Sequence, residues 1–270
     1  MHTPRRPRSL ALPLFVLALL APLASHARLS AALVEKPVSY THEGTRLHGL
    51  LVYDEAQIAK GEKRPGVLIV HQWLGRGAFE AEQARRLARA GYVAFALDMY
   101  GENPSNPDEA RALTAQFHGK PLMAARARAG LDQLRASEGV DAEKIAAIGY
   151  CFGGSAVMTL AFDEAPLAGI VSFHGGLIEA PQNLSTRSAR TKFLLCHGAV
   201  DPFVPWEQVQ TSLASLEAAQ IDYQFIAYQG AVHSFTDPSA TGAWNAGAKY
   251  QPEAAERAWA HMLQFFEEIF

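Results

Sequence analysis

Short, mostly apolar runs recur along this chain, and stretches with helical spacing separate them. The runs cover residues 67–71, 93–99, 144–150, 167–173, 192–196 and 223–228. A strand that is apolar at nearly every position has no solvent face, so both of its sides must be covered. Residues 78–90, residues near 122–137 and a helix opened by Pro205 in its first turn supply that cover. The last helix aligns Ala255, Trp259, Met262, Leu263, Phe266 and Phe270 on one face, which is the spacing of a helix docked on a core. The pattern predicts an α/β fold, a mostly parallel sheet with helices on both faces. Ahead of it, residues 38–53 mix β-branched and aromatic residues around His42-Glu43-Gly44-Thr45, predicting an antiparallel hairpin at one edge. The chain is 270 residues long and 49% hydrophobic, enough for one large core, and no internal repeat or long linker divides it.

The first 27 residues stand apart. Arg5, Arg6 and Arg8 precede an uncharged, mostly apolar stretch from Leu10 to Ala24, and Ser25-His26-Ala27 offers small residues at the −3 and −1 positions of a cleavage site. This is a signal-peptide pattern, and fifteen residues interrupted by Pro13 and Pro22 are too few to span a bilayer. The expectation is cleavage after Ala27, a single domain over residues 28–270, a periplasmic or secreted location and no membrane attachment afterwards. Net charge is 24 − 27 = −3 for the whole chain and 21 − 27 = −6 without the leader. No basic cluster marks a nucleic-acid partner.

In open parallel sheets, ligands bind beyond the carboxyl ends of the strands, and the chemistry-bearing residues fall there. Gly149-Tyr150-Cys151-Phe152-Gly153 has the form G-x-nucleophile-x-G between a predicted strand and a predicted helix. That is the context of a nucleophile elbow, where glycines relieve crowding and the helix start favours a thiolate. Read alone, the motif also fits a Gly-rich turn with a small buried cysteine. Asp201 follows the strand ending at His197-Gly198, and His233 follows the strand over residues 223–228. The order nucleophile, acid, base is that of the α/β-hydrolase fold. The spacings, 201 − 151 = 50 and 233 − 201 = 32, each leave room for a strand and a helix. A thiolate attacking an acyl carbon needs an imidazole to manage the proton and a carboxylate to fix the tautomer. The oxyanion needs backbone donors, and the amides of Phe152 and Trp73 are the candidates.

Together, Gly-Tyr-Cys-Phe-Gly-Gly, His197-Gly-Ala-Val-Asp201-Pro, His233-Ser-Phe and Asp98-Met-Tyr100-Gly resemble the dienelactone hydrolase family over about residues 40–270. The resemblance implies one α/β-hydrolase domain, hydrolysis of lactones or other small esters, and no cofactor. It also implies Cys151, Asp201 and His233 as the triad, with Phe152 and Trp73 as oxyanion donors. This chain departs from the family pattern at three positions. A glutamate beside the nucleophile is replaced by Gln72, and two carboxylate-binding arginines fall on Glu102 and Asp237. Two acids would repel a carboxylate, so a neutral or cationic ester is expected rather than dienelactone itself. The same triad would serve a thioesterase or acyltransferase, and a binding protein could keep the fold without turnover.

Cys196 sits two strands from Cys151, roughly 9–10 Å away in a sheet, too far for a disulfide. Four histidines, His71, His174, His197 and His233, fall near strand ends but lack metal-motif spacing, so no metal is expected. Tyr100 and Trp244 are the aromatic residues expected to line a substrate pocket. Residues 236–251 are predicted to form either a lid or a surface excursion.

Overall fold

Eight strands of the described residues form one sheet in the computed structural model, which describes residue 2 and residues 32–58, 61–185 and 190–270. The expected leader therefore lies outside the described residues. The hairpin is β1 (Leu33–His42) and β2 (Thr45–Asp54), paired antiparallel, with His42 opposite Thr45. The parallel strands are β3 (Arg64–Val70), β4 (Val93–Ala96), β5 (Val140–Tyr150), β6 (Gly169–Phe173), β7 (Lys192–Gly198) and β8 (Tyr223–Tyr228). Their order across the sheet is β1-β2-β4-β3-β5-β6-β7-β8, with β2 antiparallel to β4 and every later pair parallel. Residues 31–270 make up one compact unit.

Alternation along β3 shows how the sheet is covered. Leu68 and Val70 face one core with α4 (Leu122–Arg135), α5 (Phe152–Phe162) and α6 (Trp206–Ala218). Val67 and Ile69 face the other, with α2 (Ala78–Arg89) and α7 (Pro252–Ile269). Each fully buried aliphatic side chain contributes about 1.5–3 kcal/mol, so the central strands carry much of the folding drive. On α7 the buried face holds Ala255, Met262 and Phe266 as expected, together with Ala258 and Phe265. Short helices α1 (Glu55–Ile58) and α3 (Pro107–Thr114) complete the described elements; Asn106 caps α3 by accepting from the amides of Asp108 and Glu109.

One expectation needs correcting. The sequence suggests that β8 is buried like the others, but only Tyr228 on it is buried. Its place at the end of the strand order is the reason, because β7 flanks one side and no described strand flanks the other. Cys196 on β7 and the elbow at the end of β5 are separated by β6, and both cysteines are free thiols.

Candidate active site

Strand β5 ends at Tyr150 and α5 begins at Phe152, leaving Cys151 alone in the turn with φ 54° and ψ −114°. A non-glycine residue there is strained by roughly 1–3 kcal/mol and persists only where its surroundings hold it. The flanking glycines explain how. A Cβ on Gly149 would run into the carbonyl of Gly153, and one on Gly153 into the carbonyl of Val70. The amide of Cys151 donates to the Phe173 carbonyl at 3.0 Å, tying the turn to β6.

Cys151 is half-buried, and its charge state responds to the nearby His233 ring and to the backbone amides of Phe152 and Trp73. Burial pushes the thiol up, but the charge and hydrogen bond of His233 and the two amides hold it below its ordinary value. Burial alone would lower His233, yet the facing Cys151 and the Asp201 carboxylate push it up to about 10. His233 Nδ1 donates to Asp201 Oδ2 at 2.8 Å, and Asp201 Oδ1 accepts the Phe203 amide at 2.8 Å. The acid thus fixes the tautomer and leaves Nε2 for the sulfur. Both side chains are buried.

Residues 236–251 return to hold the base loop. The amide of His233 donates to Gly247 and its carbonyl accepts from Lys249, both at 2.9 Å, around a bridge to Ala248. Trp244 from the same segment packs at a tilt against Trp73, with ring centroids 5.6 Å apart.

A cavity of about 370 Å³ opens onto Cys151 and His233, with Trp73, Phe152, Phe203 and Trp244 among its walls. It includes Arg111 and His118, which the sequence reading did not single out, since nothing local announces that α3 reaches this rim. A second cavity of about 240 Å³ adjoins it across Trp73 and Trp244 and is lined by Gln72 and Asp237.

Two expected substrate residues sit elsewhere. Glu102 and Tyr100 line a separate groove of about 710 Å³ that does not contain Cys151. Asp98 Oδ1 accepts the amides of Tyr100 at 2.8 Å and Gly101 at 3.0 Å, and Gly101 at φ 94° then turns the chain away. The Tyr100 hydroxyl instead donates to the Trp73 carbonyl at 3.2 Å, bracing the loop that carries an amide to the sulfur. Asp237 is buried and accepts from Gln72 Nε2 at 2.7 Å and the Ser239 amide at 2.8 Å. The pair of acids expected to face the substrate is therefore split, and Arg111 is the charged wall residue of the cavity at the sulfur.

The other histidines have separate partners. His71 Nε2 accepts the Met99 amide at 3.1 Å, so Nδ1 donates to the Gln72 carbonyl at 2.5 Å; burial lowers its pKa to about 4. His174 meets Thr236 Oγ1 through Nε2 at 2.8 Å and lies edge-on to His233. The described residues contain no group of three or more His, Cys, Asp or Glu side chains arranged to hold a metal.

The strand order and the three loops meeting at its carboxyl edge are those of the α/β-hydrolase class. The dienelactone hydrolase family model matches residues 51–270, and the chain belongs to that family, whose members hydrolyse carboxylic esters. Among solved structures, it is similar to m3DLH, with 37% identity, a TM-score of 0.82 and coverage of 88% of this chain and 99% of that one. A dienelactone hydrolase-like promiscuous phosphotriesterase from metagenomic libraries shares 36% identity, with a TM-score of 0.81 over the same shares. Protein usf of Aquifex pyrophilus is 27% identical over 213 residues, 76% of this chain and 88% of that protein.

Proposed function

We propose that the protein hydrolyses a small ester or lactone through a cysteinyl acyl-enzyme, with Cys151 as nucleophile, His233 as acid and base, and Asp201 as its orienting carboxylate. The observation that carries this reading is that Cys151, His233, Phe152 and Trp73 line one cavity, with the His233 ring held by Asp201 at 2.8 Å. His233 takes the thiol proton, giving thiolate and imidazolium. The thiolate attacks the acyl carbon, a C–S bond forms, and the carbonyl electron pair moves onto oxygen. Both amides donate to that oxyanion, a contribution of roughly 3–4 kcal/mol for one such donor in comparable sites. Collapse breaks the ester C–O bond, and the leaving oxygen takes the His233 proton. Water then attacks the thioester, returns a proton to His233 and expels the thiolate with the acid product.

A glutamine at position 72 cannot take the thiol proton, which leaves activation to His233. The cavity at the sulfur is largely walled by aromatic and aliphatic groups, which favours a neutral acyl half. The likeness to a promiscuous phosphotriesterase adds neutral phosphotriesters to the substrate panel, because the same amides would receive a phosphoryl oxygen.

The test is steady product release from p-nitrophenyl acetate, lost in Cys151→Ala and in His233→Ala. Undiminished turnover by Cys151→Ala would sink the mechanism. Faster consumption of the ester when an alcohol is added would redirect the reading to acyl transfer. We also infer export, from the leader pattern over residues 5–27. A periplasmic or secreted chain beginning at Arg28 is the expected mass-spectrometric result, and a cytosolic chain retaining the arginines overturns it.

A further inference from the structure

We infer that Gln72 and Asp237 form a latch that holds the oxyanion loop against the base loop, so that both are positioning residues for the reaction. The inference rests on the Cys151–His233 reading above and deepens it. Residues 71–75 follow β3 and carry the Trp73 amide; residues 233–237 carry the imidazole. Among the described residues no strand pairing joins these two loops. The Gln72 Nε2 bond to Asp237 Oδ2, 2.7 Å long and 165 residues apart in sequence, does.

Each end of the bond is itself anchored. The Gln72 amide donates to Glu80 Oε1 at 3.3 Å, and its carbonyl accepts from Gly75 at 3.2 Å. Glu80 is buried at the start of α2, and its other oxygen accepts the Gly77 amide at 2.8 Å. At the far end, the Asp237 amide donates to the Ser234 carbonyl at 3.0 Å, one residue from the imidazole. Its carboxylate is completed by the Ser239 amide. Burial, with Asp237 close by, holds Glu80 above the ordinary carboxylate value. A third carboxylate at position 72 would therefore face two others, whereas a glutamine offers the N–H that Asp237 accepts. Misplacing a reacting group by about 1 Å can cost on the order of 100-fold. A bond fixing donor amide against imidazole acts on that distance.

The experiment compares variants by p-nitrophenyl acetate kinetics and by the rate of Cys151 alkylation with iodoacetamide. Gln72→Leu is expected to lower kcat by roughly 10- to 100-fold with KM within about threefold, while alkylation slows by no more than about threefold because His233 still faces Cys151. Gln72→Glu is expected to fall as far, since two carboxylates cannot make the bond. The swap Gln72→Glu with Asp237→Asn reverses donor and acceptor and is expected to recover to within about threefold of the parent. Parent-level kcat in Gln72→Leu or Gln72→Glu, or a swap no better than Gln72→Glu alone, overturns the latch. Failure of the mechanism reads differently, as alkylation that misses Cys151 or activity that survives Cys151→Ala.

Discussion

At the scale of single residues, Cys151 and His233 shift in opposite directions from their ordinary values, and each is the main electrostatic cause of the other's shift. The sign of the pH dependence follows. Lowering pH protonates the thiolate, so activity falls on the acid side, at a pH below that of a free thiol. Raising pH through about 10 removes the His233 proton and the pair is lost. A kcat/KM profile with its acid limb below the ordinary thiol value and its alkaline limb near 10 is the expected result; an acid limb at the ordinary thiol value would contradict the pair. The other cysteine behaves oppositely. Burial pushes Cys196 up to about 12 despite a hydrogen bond from Tyr228. Since the thiolate is the reactive form, iodoacetamide at neutral pH should modify Cys151 and leave Cys196 unmodified until the protein unfolds. Peptide mass spectrometry reads both sites, and modification of native Cys196 would refute its inertness.

At the scale of elements, the elbow depends on close backbone approach. The carbonyls of Gly153 and Val70 occupy the space a methyl group would need at Gly149 and Gly153. Backbone cannot rotate aside as a side chain can, so Gly149→Ala is expected to cost about 2–4 kcal/mol or abolish folding. Urea denaturation measures it, and a loss below about 1 kcal/mol would show that the turn can relax. The segment after the base acts as a strap, since its backbone bonds to His233 on both sides. It also contributes Trp244, which is 63% exposed and parts the two cavities by leaning on Trp73. Trp244→Ala should join them, raising kcat/KM for bulky esters about 5- to 10-fold while leaving acetate esters within twofold. Equal effects on both substrates would mean that the indole does not set size preference.

For the whole molecule, charge selectivity depends on which loops meet at the rim. Arg111 lines the cavity, but its side chain is 59% exposed and pairs with a 94% exposed Asp108. Such a solvated cation contributes about 0–1 kcal/mol, so Arg111→Ala should shift the kcat/KM ratio of matched anionic and neutral esters by no more than about fivefold. A larger shift would make Arg111 a substrate anchor. Neither Arg111 nor His118 was legible in the sequence, because α3 reaches the cavity only through the packing of the loop before it. For the same reason the groove that Glu102 lines could not be foreseen: offsets along the chain say nothing of the turn at Gly101 that sets its course. What could be read beforehand were features with local causes. Apolar runs make buried strands, two glycines make an elbow, and strand ends in a parallel sheet share one edge, which is why Cys151, Asp201, His233 and both candidate amides could be expected at one rim. Only the tertiary structure decided that β8 lies at the sheet's edge, that Gln72 grips Asp237, and which walls face the sulfur. Those outcomes arise between residues far apart in the chain, where each contact depends on how every intervening element packs.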